Sequence, residues 1–311
     1  MKTYAPDYYK KFHCIADRCK HSCCIGWDVY LDEDTLEKYA RMEGELGDEI
    51  RTALCQKEDG VCFEMCEGGR CPFLNKRGLC RIILEKGEDS ISEICREHPR
   101  FYNCFSDRVE VGLGLSCEEA ARIILSETDV PPLTVIEEDD EPEEELWEEE
   151  AFVLEKRAQL FALLQDRSRP LTRRTADILA ESGAMLHQKR GAEWAECLRS
   201  LERLDPAWED ALDLLAHTDR DLPLSIPDTA FENLLHYFLY RHCSPATDEA
   251  DLSARVAFSC LSLLIIRRLC SAKVAECGTC SFDDLCDFAR MYSAEIEYSE
   301  ENTQRLIDLF Y

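Results

Sequence analysis

Positive charge is scarce in this chain: 36 Lys and Arg residues face 64 Asp and Glu, for a formal net charge of -28. Such a balance argues against a duplex nucleic-acid binder, because phosphates would be repelled, and it favours a basic partner. Long apolar runs are missing as well. The longest, Val256 to Ile266, is interrupted by Ser259, Cys260 and Ser262 and closed by Arg267 and Arg268. It is too short to cross a bilayer, so no membrane span is expected. The opening residues, MKTYAPDYYKKF, carry basic groups with no apolar run behind them. No secretory leader is therefore expected, and a reducing, cytoplasmic setting is the natural assumption. A glycine-rich phosphate loop is also wanting. Gly112 and Gly114 form G-x-G without a third glycine and without strand–helix alternation around them, which speaks against a Rossmann-type nucleotide-binding fold.

Cysteine, in contrast, is abundant and unevenly placed. Of 19 cysteines, twelve lie before residue 118 and seven after residue 196; an odd number in a reducing compartment favours metal ligation over a disulfide framework. The densest stretch is Phe12 to Asp28, FHCIADRCKHSCCIGWD, with Cys14, Cys19, Cys23 and Cys24 inside eleven residues. Adjacent Cys23 and Cys24 point in different directions, so further ligands must come from later in the chain. Cys71-Pro-Phe-Leu-Asn-Lys-Arg-Gly-Leu-Cys80 reads as two short extended pieces around an Asn-Lys-Arg-Gly turn, which would face both thiols toward one centre. Cys95 falls on a helix expected from Ser90 to near Pro99. Ser116 and Glu119 form a capping-box pattern that places Cys117 in the first turn of a helix over Ala120 to Leu125, where free N–H groups and the helix dipole favour thiolate. The candidate metal ligands are thus Cys14, Cys19, Cys23, Cys24, Cys71, Cys80, Cys95 and Cys117. Eight thiolates supply two four-ligand centres, or one centre and spare thiols, and tetrathiolate suits zinc and iron–sulfur alike. Cys55, Cys62, Cys66 and Cys104 read as additional ligands or free thiols. Cys277-Gly-Thr-Cys280 is a C-x2-C without a matching second pair. His13, His21 and His98 sit beside these cysteines and read as hydrogen-bonding neighbours of the ligands, or as replacements for one of them.

The remaining pattern divides the chain. Trp27 to Leu31 alternates like a short strand, Asp32 to Asp34 offers caps for a helix carrying Leu36 and Tyr39, Gln56 to Gly69 looks irregular, and Val109 to Leu113 reads as a strand. Pro131 and Pro132 end this part, and Glu137 to Glu150 is acidic at eleven of fourteen positions, the composition of a solvated linker. Helical periodicity then dominates. Leu154, Leu160, Phe161, Leu163 and Leu164 mark one helix ending before Pro170, and others are expected over Thr175 to His187, Glu193 to Leu204 and Ala207 to Leu215. The most apolar pair, Phe231 to His242 and Ala254 to Cys270, should form the centre, with Tyr237, Phe238 and Tyr240 as core aromatics. The expected fold is mainly α. An irregular, metal-stabilised cysteine-rich domain with short strands occupies 1–130, an acidic linker 131–150, and an all-helical domain 151–311.

Four sequence features come together in one resemblance. F-x-C-x4-C-x3-C-C-x-G-W at Phe12 to Trp27, C-P-F-L-x4-L-C at Cys71 to Cys80, C-x2-H-P-R at Cys95 to Arg100 and S-C-x-E at Ser116 to Glu119 resemble the flagellin lysine N-methylase family. That family stands near small zinc- or iron-chelating cysteine-rich domains. The likeness covers the first 125 residues and continues in a helical tail with a Tyr-rich segment like Tyr237 to His242. It implies methyl transfer from S-adenosylmethionine to lysine side chains of flagellin, with a [4Fe-4S] cluster, or alternatively Zn2+, held by the amino-terminal cysteines. The C-x3-C-x2-C signature of radical S-adenosylmethionine enzymes is absent from the sequence. Ordinary polar methyl transfer needs no radical, so a cluster would be architectural or would chelate the methyl donor. Arg100 is the residue assigned to the donor carboxylate, with a structural salt bridge as its other reading, and no residue stands out as a catalytic base. Two rivals remain: a zinc-held interaction module that docks a basic protein, and an iron–sulfur redox or assembly factor.

Overall fold

The computed structural model describes residues 1–139, 145–187, 189–219 and 221–311. Packing separates two units, one of residues 1–12 with 101–311 and the other of residues 13–100. The chain begins in the larger unit with strand β1 (Lys2–Pro6) and a short 3-10 turn over Asp7–Lys11, then enters the smaller unit.

The smaller unit contains helices α1 (Glu33–Arg41) and α2 (Glu45–Thr52), a hairpin of β2 (Leu54–Lys57) and β3 (Gly60–Phe63), and short helices α3 (Arg81–Lys86) and α4 (Glu93–Glu97). Asp32 caps α1 as its position in the sequence suggests: its carboxylate accepts the Thr35 N–H at 2.8 Å, the Thr35 hydroxyl at 2.7 Å and the Glu93 N–H at 3.0 Å. Burial would raise that carboxyl, but the bonds from Glu93 and Thr35 win and hold it down at about 2. The hairpin lies where an irregular segment was expected. Its strands are short, and Gln56 and Lys57 face solvent, so no alternating apolar pattern marks them. Trp27 to Leu31 is not a strand; it touches the hairpin through single backbone bonds, Leu31 N–H to Val61 O at 2.9 Å and Phe63 N–H to Val29 O at 3.3 Å. These elements enclose Val29, Leu31, Tyr39, Leu46, Ile50, Phe63, Phe73, Ile82 and Ile91, with Phe63 and Phe73 meeting edge to face at 4.9 Å between centroids. Each such side chain contributes about 1.5–3 kcal/mol on burial, so the cysteine-rich stretch has an apolar core of its own.

The larger unit resumes with β4 (Arg100–Cys104), β5 (Arg108–Leu113), α5 (Glu118–Ser126) and β6 (Leu133–Glu138). Together with β1 the strands form one sheet in the order β4-β5-β1-β6, β1 running parallel to β5 with Thr3 opposite Val109 and antiparallel to β6 with Ala5 opposite Thr134. Gly112 serves packing rather than a phosphate loop: a Cβ there would overlap the Phe101 ring. The described elements of residues 151–311 are all helical, as expected, and they share one unit with a small sheet drawn from residues 2–138. Within the acidic stretch 131–150, Leu133–Glu138 is strand and a helix starts at Glu148, while residues 140–144 of that stretch lie outside the described residues.

Among the described residues, eight α-helices follow: α6 (Glu148–Gln165), α7 (Leu171–Glu181), α8 (Gly191–Arg199), α9 (Pro206–Ala216), α10 (Asp228–Cys243), α11 (Glu249–Cys277), α12 (Phe282–Tyr292) and α13 (Glu300–Ile307). As the apolar pattern indicates, α10 and α11 form the centre, each buried on most of its surface. Tyr237, Phe238 and Tyr240 are all within this core. Polar residues inside α11 satisfy themselves locally: the hydroxyls of Ser259 and Ser262 donate to the carbonyls of Arg255 and Phe258 at 2.8 and 2.9 Å. The helix ends at Gly278, whose φ of 79° lets its N–H return to the Val274 carbonyl at 2.8 Å. No described helix is long and apolar enough to cross a membrane.

Candidate functional site

In the smaller unit, backbone pairing carries Cys24 to Cys71. The Cys71 N–H donates to the Cys24 carbonyl and the Gly26 N–H to the Gly69 carbonyl, both at 2.9 Å. Cys71 and Cys80 flank the turn read from the sequence: Leu74 bridges Cys80, the Asn75 N–H donates to Leu79 O at 2.9 Å, and the Asn75 side chain accepts the N–H groups of Arg77 and Leu79. Backbone N–H groups then reach the sulfurs, Phe73 to Cys71 and both Ile82 and Ile83 to Cys80. Cys95 sits on α4 beside the Ser92 hydroxyl.

Electrostatics ties these four thiols into one group. Burial pushes Cys71 up to about 12 and Cys95 up to about 11, and raises Cys80. Charge on Cys24 raises all three further. Cys24 itself is lowered to about 7, chiefly by a hydrogen bond from the Cys23 thiol, with help from Ser22 and Arg70 against burial. Neighbouring thiols of this kind resist losing their protons together unless a cation replaces them. The Tyr39 hydroxyl feels the charge of Cys95, Cys80 and Cys71, and it is fully buried with no hydrogen-bond partner among the described residues. A leftover donor beside thiols suits sulfurs that become thiolates. In donor chemistry, therefore, Cys24, Cys71, Cys80 and Cys95 fit a tetrathiolate metal or cluster. Among the described residues no three His, Cys, Asp or Glu side chains already converge on a point that would hold a metal ion.

Of the other candidate ligands, Cys23 is exposed but joined to the group through its bond to Cys24, Cys14 is exposed, and the Cys19 thiol donates to the His21 carbonyl at 3.2 Å. Cys117 belongs to the larger unit. It is the cap residue of α5 rather than part of the first turn, its side chain makes no capping bond, and Glu119 pairs with Arg122 at 2.8 Å instead of completing a capping box. Cys277 is exposed, whereas Cys280 is buried with its sulfur against Cys270, so the C-x2-C does not present one face. Burial lowers the His98 imidazole to about 4, and its ring lies 6.2 Å from that of Trp27. The half-buried Arg100 donates Nη1 to the Arg96 carbonyl at 3.0 Å.

The larger unit holds a second constellation that sequence reasoning missed. After α12 the chain makes a π-turn over Ser293–Glu297, closed by the Tyr298 N–H on the Ser293 carbonyl at 3.2 Å; such turns widen the helix and re-aim side chains. Glu295 turns one way and accepts the N–H groups of Leu204 and Asp205 at 2.9 and 2.7 Å. Glu297, with a side chain 0% exposed, turns into the core and takes His242 Nε2 at 2.6 Å and the Tyr237 hydroxyl at 3.0 Å. Arg241 donates Nη1 to Tyr237 at 2.8 Å, and its guanidinium lies over the rings of Phe101 and Tyr298 at 4.9 and 5.5 Å. Despite burial, the charge of Arg241 and the bond from His242 keep Glu297 below the usual carboxylate range, while burial lowers His242. A carboxylate facing a guanidinium, with a neutral imidazole beside them, follows. Tyr298 also feels Cys117 at the start of α5. The available signal was Glu295-Ile-Glu297 on a segment that otherwise continues a buried helix.

Residues 183–311 match the family described as the FliB lysine N-methylase C-terminal domain. The chain is 29% identical over 138 residues to lysine-N-methylases of Salmonella typhimurium and Salmonella choleraesuis, covering 42% of this chain and 34% of each of theirs. It is 29% identical over 137 residues to the flagellar biosynthetic protein FliU of Salmonella muenchen, covering 41% of this chain and 79% of that one. The chain thus spans about a third of the length of the two lysine-N-methylases it matches. No solved structure matches it. The resemblance to the flagellin lysine N-methylase family is borne out by these matches, and the family match falls on the helical domain rather than on the cysteine-rich stretch that first suggested it.

Proposed function

We propose that this protein transfers the methyl group of S-adenosylmethionine to lysine side-chain amines of flagellin, with a [4Fe-4S] cluster held by Cys24, Cys71, Cys80 and Cys95. The observation that carries the reading is the match of residues 183–311 to the FliB lysine N-methylase C-terminal domain. In the transfer, the neutral lysine nitrogen attacks the methyl carbon, the carbon–sulfur bond breaks and the sulfonium leaves as a neutral thioether. A lysine amine with its ordinary pKa of about 10.4 is nearly all protonated at neutral pH, so the reacting amine must lose a proton first. Approach to a cationic sulfonium in a dry site depresses that pKa. The chain's net charge of -28 draws lysine-rich surface toward it, and the Arg100 guanidinium matches the donor carboxylate in charge and shape. A bound cluster would supply a thiolate-anchored centre for the smaller unit, and zinc in the same thiols is the alternative.

Full-length protein reconstituted with iron and sulfide, incubated with S-adenosylmethionine and flagellin from the matching organism, should add methyl mass to flagellin lysines. The rate should rise with pH as more substrate amine becomes neutral, and fall with salt as charge attraction is screened. No methyl mass on flagellin, together with no calorimetric binding of S-adenosylmethionine, refutes the proposal.

A further inference from the structure

Cys55 and Cys62 stand directly opposite each other in the β2–β3 hairpin, with their sulfurs 3.4 Å apart. They lie outside the four-thiol group, and the methylase reading does not require them. Directly paired residues of an antiparallel ladder have Cα atoms about 4.5–5.5 Å apart, inside the range of about 4.4–6.8 Å that a disulfide accepts. The hairpin they share is tied to its surroundings on both sides: Tyr30 bridges Cys62, Val61 O accepts the Leu31 N–H at 2.9 Å, and the Glu64 N–H closes on Ala53 O at 2.7 Å. The two strands are thus held in the register that opposes the thiols. Cys55 is half-buried and Cys62 fully buried, which gives them different roles.

We propose that Cys55 and Cys62 form an oxidisable dithiol, a modification site that peroxides convert to a cross-strand disulfide. The accessible Cys55 sulfur attacks one peroxide oxygen; the O–O bond breaks, leaving a sulfenic acid and one water. The Cys62 sulfur then displaces the hydroxyl of that sulfenic acid. An S–S bond forms, the S–O bond breaks, and hydroxide leaves with the Cys62 proton as a second water. Two thiols lose two electrons, and one peroxide becomes two waters. Burial, together with the neighbouring Cys55 thiol, pushes Cys62 up to about 11, so it stays protonated until the sulfenic acid appears.

The test uses full-length protein treated with hydrogen peroxide at a few equivalents, alkylated, and digested with trypsin without reduction. Cleavage after Arg51, Lys57 and Arg70 separates the two cysteines onto TALCQK and EDGVCFEMCEGGR. A linked pair of these peptides should appear, lighter by two hydrogen atoms than their sum, with fragmentation placing the bond on Cys62. Cys55→Ser should abolish it and Cys66→Ser should leave it unchanged. Phenylarsine oxide, which bridges close thiol pairs, should protect Cys55 and Cys62 from alkylation in the untreated protein. Because Cys62→Ser alters a core position, the wild-type map and the Cys55→Ser variant decide the matter. Absence of the linked peptide, or a link that persists without Cys55 or depends on Cys66, overturns the proposal.

Discussion

Replacing Glu297 by leucine removes the carboxylate that three groups of the larger unit converge on. The His242 Nε2 at 2.6 Å and the Tyr237 hydroxyl at 3.0 Å lose their acceptor, and Arg241, with a side chain 15% exposed, loses its counter-charge. Removing one partner of a buried ion pair costs about 3–5 kcal/mol, most of it the penalty of leaving the other charge uncompensated. For a unit of about 220 residues, each kcal/mol lowers the melting temperature by about 2–4 °C, so a fall of about 6–20 °C should be seen. Arg241→Met should cost a similar amount. The double variant should cost far less than the sum, because a methionine and a leucine leave no charge stranded, and the coupling should be about 2–3 kcal/mol. Urea unfolding followed by far-UV circular dichroism, with calorimetry to check that the transition is cooperative, measures all three. A loss below about 1 kcal/mol for Glu297→Leu, or simple additivity of the two substitutions, would refute the argument that the network is one charged unit.

Acid should weaken the larger unit through His236, which is 4% exposed and held down to about 3 by burial and then by Arg157. Its folded pKa is depressed, so the unfolded chain binds the proton first. Stability present above about pH 6.5 is lost as pH falls toward 3, by about 2 kcal/mol between pH 6.5 and 5. Denaturation curves at the two pH values should show this loss in the wild type and a smaller one in His236→Phe; equal losses would remove His236 as the cause. In the smaller unit, Cys80→Ser should lower the bound iron and sulfide, or zinc, to less than half after reconstitution, while Cys197→Ser in α8 keeps it. Unchanged metal in Cys80→Ser would take Cys80 out of the ligand set.

What could be read from the sequence followed the distance between interacting residues. The central pair α10 and α11, the strand β5, the cap at Asp32 and the turn before Cys80 all announce themselves within a dozen residues of chain, through apolar runs or turn chemistry. β1 does not: Lys2–Pro6 has little apolar alternation, and its partners at Arg108–Leu113 and Leu133–Glu138 are far along the chain. β6 was masked by the acidic residues that follow it, and the β2–β3 hairpin by the exposed Gln56 and Lys57. The grouping of Cys24, Cys71, Cys80 and Cys95 was legible as a set of candidates but not as a subset of four, because long-range backbone pairing, of Cys24 with Cys71 and Gly26 with Gly69, brings the segments together. Glu297 was invisible for the same reason, since its partners lie 55 and 60 residues earlier. Cys117, placed among the candidate ligands by its S-C-x-E context and an expected helix start, lies in the larger unit at the cap of α5.

The inner position of β1 sets an order for the protein's birth on the ribosome. Thr3 pairs with Val109 on one side and Glu137 on the other, so this strand has nothing to bind until more than a hundred further residues have been made. At about 5–20 residues per second the wait is about 5–20 s. Residues 13–100, with their own apolar core, have time to fold during that interval, whereas Lys2–Pro6 passes it as an unpaired strand available to other chains. Slow emergence of Arg108–Glu138, through rare codons or a stalled ribosome, would lengthen the exposure. Yield of folded protein should therefore depend more on translation speed across that segment than across the helices that follow.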